Sequence, residues 1–315
     1  LIGLLPYPML VFIGKGVGFA MLFLASNRRR IAAKNFELCF PELDNKQRKK
    51  LLLENFLSTG IGLMETAFCW SASADRIKAV TEVSGTEHLA TVLDSGKGAI
   101  VLGFHLTSLE LGGVGLAHRL PIAAMYRQHR NKHFERAMCS GRLNHVTDVI
   151  EREDVRNMIR SLKGGKAVWY AADQDYGANH SIFVPFFNYP TATITATSRF
   201  VKLTRVPVIP MTHYRDKITN KLLIQLHPPL ENFTAKDDYT DALVINQILE
   251  KFLHQFPAEY LWVHRRFKTR PPGMPSLYQA KSLYKIKNIS EEDYQKILSD
   301  AELVEGTVER PLLLK

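Results

Sequence analysis

His105 and Glu110 stand five residues apart in the segment Gly103-Phe104-His105-Leu106-Thr107-Ser108-Leu109-Glu110. An imidazole that holds a carboxylate on one ring nitrogen leaves the other free to take a proton from a hydroxyl or a water. On a continuous helix, side chains five apart point about 140° away from each other and cannot cooperate. They meet only if His105 ends a strand and Glu110 lies in the first turn of the next helix, with Ser108 as its N-cap. By itself this spacing is a weak signal, so its meaning rests on the elements around it.

Those elements read as α/β. From Val80 onward, short apolar runs alternate with helical patterns: Ala99–Leu102, Pro121–Met125, Val146–Ile150, Ala167–Tyr170, Val206–Ile209 and Leu222–Leu226 as strands, and Asp154–Leu162, Thr193–Leu203 and Tyr239–Phe256 as helices. The pattern predicts a mixed, largely parallel sheet flanked by helices. Asn27–Ser73 reads as helical, with a break at Pro41. In such sheets function collects beyond the carboxyl ends of the strands. Three strand tips carry polar, titratable residues: His105 after the first run, Arg127, His129 and Arg130 after the second, Asp173-Gln174-Asp175 after the fourth.

Composition sets outer bounds. In 315 residues, 46% hydrophobic and 23% charged residues exclude wholesale disorder and collagen-like designs. Forty-one Lys and Arg against thirty-one Asp and Glu give +10, a surface that attracts nucleic acid, acidic lipid headgroups or an acidic protein. Cys39, Cys69 and Cys139 form no C-x-x-C pair, which argues for small core residues rather than a disulfide framework or zinc site. His129 and His133 have a metal-like spacing but no third ligand in view.

Leu1 to Ser26 carries one charge, Lys15, and is followed by Arg28-Arg29-Arg30. A helix over residues 8–26 would be about 28 Å long, enough for the roughly 30 Å hydrocarbon core. Lys15 and three glycines oppose a simple span, so the segment is read as a membrane anchor that spans or dips into the bilayer with the arginines on the cytoplasmic side, the alternative being a buried or surface-lying helix.

The ordered words "GFHLTSLELGG", "AMYRQHRN", "SGR", "AADQDYG", "FVPFF" and "YLWVHRRFKTRP" resemble the late acyltransferases of lipid A biosynthesis, the lauroyl and myristoyl transferases. These belong to the glycerolipid acyltransferase superfamily marked by H-x-x-x-x-D; the resemblance covers about residues 1–272. It implies a glycerol-phosphate acyltransferase-like fold with His105 as general base and Glu110 as its acidic partner. It also maps the third-motif arginine onto Arg142 and the Asp-Gln pair onto Asp173 and Gln174. Arg142 is then a candidate for holding a phosphate or an oxyanion, the alternative being a surface helix arginine; Asp173 reads as orienting loops or that arginine.

The chemistry implied is secondary acylation. His105 deprotonates the hydroxyl of a hydroxyacyl chain on a lipid A precursor, and the alkoxide attacks an acyl thioester on acyl carrier protein, with no metal or cofactor. Arg127, Arg130, Lys132 and Arg136 form one basic cluster and Arg265, Arg266, Lys268 and Arg270 another, each suited to lipid phosphates or to acidic carrier protein. Phe183, Phe186 and Phe187 read either as an acyl tunnel or as core. The implied home is the bacterial inner membrane, with the catalytic domain on the cytoplasmic face. The expected organisation is an anchor (1–26), a helical segment (27–79), a catalytic domain (80–275) and a C-terminal extension (276–315). Competing readings are a thioesterase or lipid hydrolase using the same pair on water, a lysophospholipid acyltransferase, and a non-enzymatic polyanion binder; the ordered motifs argue against the last and against nucleic acid as partner.

Overall fold

A computed structural model describes residues 2–231, 233 and 235–278. Most of the expected C-terminal extension (276–315) lies outside the described residues. Four helices come first: α1 (Tyr7–Leu24), α2 (Ser26–Cys39), α3 (Asn45–Cys69) and α4 (Ala74–Val80). The start of α3 follows from local chemistry. Asp44 accepts from the Gln47 amide, and Gln47 accepts in return from the Asp44 amide, both at 2.8 Å, so two orphan donors are satisfied at once.

The α/β part then runs β1 (Thr81–Ser84), α5 (Thr86–Asp94), β2 (Ala99–Gly103), α6 (Leu109–Ala117), β3 (Ile122–Tyr126), α7 (Lys132–Leu143), β4 (Val149–Glu151), α8 (Val155–Lys163) and β5 (Ala167–Ala171). It continues as β6 (Ser181–Phe186), β7 (Tyr189–Ile194), α9 (Ala196–Thr204), β8 (Val208–Arg215), β9 (Leu222–Leu226) and α10 (Asp238–Gln255). The seven-stranded sheet has the order β1-β9-β8-β2-β5-β3-β4, with every pairing parallel except β8–β9. This is the mixed, mostly parallel sheet flanked by helices that the apolar runs predict.

β2 sits at the centre of the sheet and all five of its residues are buried. Ile100 and Leu102 pack on one side with α2, α8 and α10; Ala99 and Val101 pack on the other with α1, α3 and α6. Alternation along the pleat thus divides the core into two layers. One local expectation is corrected. Thr193 belongs to β7 rather than to the helix expected over Thr193–Leu203, because β6 and β7 form a separate antiparallel hairpin in which Pro190 and the alternating Thr191–Ile194 suit a strand better than a helix. Phe186 and Phe187 of that hairpin are core residues packed against Phe267, His254 and Trp262.

α1 is the one described helix long and apolar enough to cross a membrane. One face is docked along its length on α3. At the crossing a Cβ on Gly18 would lie 2.2 Å from the Phe56 carbonyl oxygen, and one on Gly60 would lie 2.3 Å from the Gly14 carbonyl oxygen, so only glycine permits this approach. The opposite face exposes Phe12, Phe19, Phe23 and Leu24.

Candidate active site

β2 ends at Gly103, and His105 lies two residues beyond it. Glu110 lies in the first turn of α6, with Ser108 at the N-cap. The chain therefore has the strand-to-helix geometry that the five-residue spacing requires. The carboxylate on His105, however, is a different one.

His105 Nδ1 meets Asp173 Oδ1 at 2.9 Å, and the His105 backbone N–H donates to both Asp173 oxygens at 3.1 and 3.2 Å. Sheet register is the cause. Gly103 pairs with Ala171 in the parallel β2–β5 ladder, so equal extensions of two residues bring His105 opposite Asp173. A carboxylate only accepts, so Nδ1 carries the proton, and in the neutral ring Nε2 keeps a free lone pair. Asp173 is almost fully buried, whereas the His105 side chain is 21% exposed. Burial alone would push the Asp173 carboxyl up; the His105 ring and the hydrogen bonds around it outweigh that and hold it below its usual value. The Tyr260 hydroxyl donates to the Asp173 carbonyl at 3.3 Å.

Glu110 pairs elsewhere. Arg142 Nε and Nη2 donate to its two oxygens at 2.8 and 2.6 Å, and Trp70 Nε1 donates to Oε1 at 3.0 Å. Among the described residues no hydrogen bond joins Glu110 to His105, which corrects the expected pairing. α7 presents Arg142 to the first turn of α6, and a planar guanidinium matches a carboxylate in two places where an imidazole matches it in one. Arg142 is thus a largely buried, ion-paired residue. Asp173 orients the histidine loop and not the arginine.

The loop between β2 and α6 is clamped from three directions. Thr107 N donates to the Glu259 carbonyl at 2.7 Å, and Leu261 N donates to the His105 carbonyl at 3.0 Å. Ser58 and Thr107 both donate to Glu259 Oε2, at 3.0 and 2.9 Å. Arg215, ion-paired with Glu65 and donating to Tyr7, donates to Ser108 Oγ at 2.8 Å. The N-cap serine thus accepts from an arginine of β8 and makes no side-chain cap. Gly62 of α3 lies so close that a Cβ there would stand 1.8 Å from the Thr107 carbonyl oxygen.

Two spaces adjoin these pairs. A polar cleft of about 360 Å³ is lined by Asp173, Gln174, His264, Arg265, Lys268 and Arg28 among others. A small apolar crevice of about 30 Å³ lies behind Glu110 and Arg142, walled by Leu109, Val114, Ile122 and Trp169. Gln174 Nε2 is 3.4 Å from His264 Nε2. Arg127 and Arg130 stand on the exposed loop after β3. Arg266 leaves the expected basic surface: it is 1% exposed and donates to the Ala192 carbonyl at 2.7 Å and to Thr193 at 3.0 Å, because the hairpin needs its carbonyl and hydroxyl satisfied.

Sequence reasoning missed His264. Its ring centre lies 6.2 Å from that of His105; burial first, then the neighbouring His105, pulls its pKa down to about 4. The signal was its place in "YLWVHRRFKTRP", where a histidine is followed directly by two arginines. Trp70, Ser58 and Glu259 gave no local signal, since each reaches the site from a distant segment.

Residues 1–269 match the family model described as bacterial lipid A biosynthesis acyltransferase. The chain is 37% identical over 275 residues to the lipid A biosynthesis lauroyltransferase of Escherichia coli (strain K12), covering 87% of this chain and 90% of that one. It is equally similar, 37% over 275 residues with the same coverage, to the lipid A biosynthesis palmitoleoyltransferase of that organism. The lipid A biosynthesis myristoyltransferase of E. coli K12 is 30% identical over 287 residues, 89% of this chain and 86% of that one. With the His105–Asp173 pair at the sheet rim and a match along most of its length, the chain belongs to the bacterial lipid A biosynthesis acyltransferases.

Proposed function

We propose that this acyltransferase moves a fatty acyl chain from acyl carrier protein to the hydroxyl of a hydroxyacyl chain on a lipid A precursor. The observation that carries the reading is the His105–Asp173 contact at 2.9 Å, which leaves Nε2 as proton acceptor on a partly exposed ring. Nε2 takes the hydroxyl proton as the oxygen attacks the thioester carbon. The tetrahedral oxyanion then collapses, the C–S bond breaks, and the leaving thiolate takes the proton from the imidazolium. Asp173 stabilises the imidazolium that exists between those two transfers. Glu110 and Arg142 fix the first turn of α6 and wall the apolar crevice, while Arg127 and Arg130 offer cations to phosphate or to an acidic carrier.

The reading places the catalytic domain (80–275) on the cytoplasmic face of the inner membrane, with residues 1–26 as anchor, 27–79 as the helical support beneath it and 276–315 as an extension. The docking of α1 along α3 supports a helix lying in the interface, its Phe12–Leu24 face toward lipid, since a crossing helix would draw α3 and its buried Asn55 and Glu65 into the bilayer.

Mass spectrometry of lipid A from cells with and without the gene tests the reaction; a gain of one or two acyl masses is expected, abolished by His105→Ala. Free fatty acid released with no change in lipid A mass would replace acyl transfer with hydrolysis.

A further inference from the structure

Arg28, Arg265 and Lys268 line the polar cleft, and none has a carboxylate partner among the described residues. Arg28 donates to the Val263 carbonyl at 3.1 Å, and the Arg265 guanidinium lies 5.9 Å from the Tyr278 ring centre. The carboxylates of the cleft are already engaged. Asp173 holds His105, and Asp175 accepts from the Thr269 backbone at 2.6 Å and from its hydroxyl at 2.7 Å. The result is a concave site with surplus positive charge, where an anion meets several donors at once.

Its place in the fold narrows the ligand. Arg28 lies four residues beyond Leu24, the last residue of α1, and Phe19, Phe23 and Leu24 are 53%, 59% and 84% exposed. An apolar helix face that ends at the mouth of a cationic cleft matches a molecule whose hydrocarbon chains adjoin an anionic headgroup. The cleft is also floored by Asp173, the residue that holds His105.

We propose that the cleft between Arg28 and the Arg265–Lys268 rim binds the phosphate ester of a phosphorylated lipid headgroup, holding the acyl acceptor by that phosphate while its hydroxyl reaches His105. This deepens the acyl-transfer reading and rests on it for which substrate is held, though not for the binding itself. The carrier protein's pantetheine arm also has a phosphate ester, so the test separates the two sources.

Binding is measured by titrating full-length His105→Ala protein with inorganic pyrophosphate, with Arg28→Gln, Arg265→Gln and Lys268→Gln each added in turn. Each is expected to weaken binding by about tenfold, the worth of one charge-assisted hydrogen bond, while Lys217→Gln, at an exposed residue that does not line the cleft, leaves it unchanged. All are surface changes, and an unaltered thermal midpoint verifies folding. In the enzyme with His105 intact, Arg28→Gln and Arg265→Gln are expected to raise KM for the phosphorylated acceptor about tenfold with little change in kcat, and to lose that effect on a dephosphorylated acceptor. Pyrophosphate binding indifferent to all three changes overturns the site. A rise in KM for the acyl carrier protein alone overturns the headgroup assignment in favour of the pantetheine phosphate. Binding that weakens as expected while His105→Ala protein still acylates lipid A would keep the cleft and remove the catalytic reading.

Discussion

Asp173→Asn and Glu110→Gln separate the two carboxylates near His105 by what each does. Asp173 Oδ1 lies 2.9 Å from Nδ1, and with the two charge centres about 4 Å apart the imidazolium formed in the transition state gains about 4 kcal/mol, taking an effective dielectric of about 20. That corresponds to about a thousandfold in rate. Asparagine adds a second fault. Its amide can donate to Nδ1, which moves the ring proton to Nε2 and leaves no base toward the substrate; the equivalent change in the triad of a serine protease lowers kcat by about 10⁴. Asp173→Asn is therefore expected to lower kcat by about 10³–10⁴ while the fold is kept. Glu110→Gln keeps the shape of its contacts with Arg142 and Trp70 but leaves a largely buried guanidinium uncompensated. Its expected signature is lost stability, about 3–5 kcal/mol for a broken buried pair, with the His105 tautomer unchanged. Single-turnover acyl transfer gives the rates, and ¹⁵N NMR of labelled histidine gives the tautomer. Nδ1-protonated His105 in Asp173→Asn together with a switched tautomer in Glu110→Gln would refute the assignment.

Two further outcomes follow from the packing. Gly62→Ala places a methyl group against the Thr107 carbonyl, where the ideal position would be 1.8 Å away, so the loop carrying His105 must shift; kcat is expected to fall about a hundredfold for a displacement near 1 Å, with a smaller change in overall secondary structure by circular dichroism. His213 is buried against Gly112, neither ring nitrogen is hydrogen-bonded among the described residues, and burial first, then Arg215, pulls its pKa down to about 3. Above about pH 6.5 the ring is neutral folded and unfolded and adds no pH dependence. As pH falls from there toward 3 the unfolded chain takes up a proton the folded one refuses, so stability falls by about 1 kcal/mol per unit. His213→Phe is expected to flatten that slope in urea unfolding between pH 7 and 5, and an unchanged slope would show that another group sets it.

Six of the nine described strands (β2 to β5, β8 and β9) and the start of α6 were legible because they depend on neighbours. Leu222–Leu226 is a strand as its apolar run suggests, and Ala99–Gly103 is a fully buried one. The placement of His105 at a strand tip and of Glu110 in a first turn also came from five residues of chain. Which carboxylate holds the histidine did not. His105 and Asp173 are 68 residues apart and meet because β2 and β5 are adjacent and in a register that aligns Gly103 with Ala171. The same holds for Arg142, drawn onto Glu110 by the docking of α7, and for Arg266, drawn inward to satisfy the β6–β7 hairpin. Amino-acid order settles what lies within a turn or a strand, where side-chain period and capping act locally. Long-range pairing is settled by burial of the sheet and by the need to satisfy polar groups inside it, and both are properties of the assembled fold.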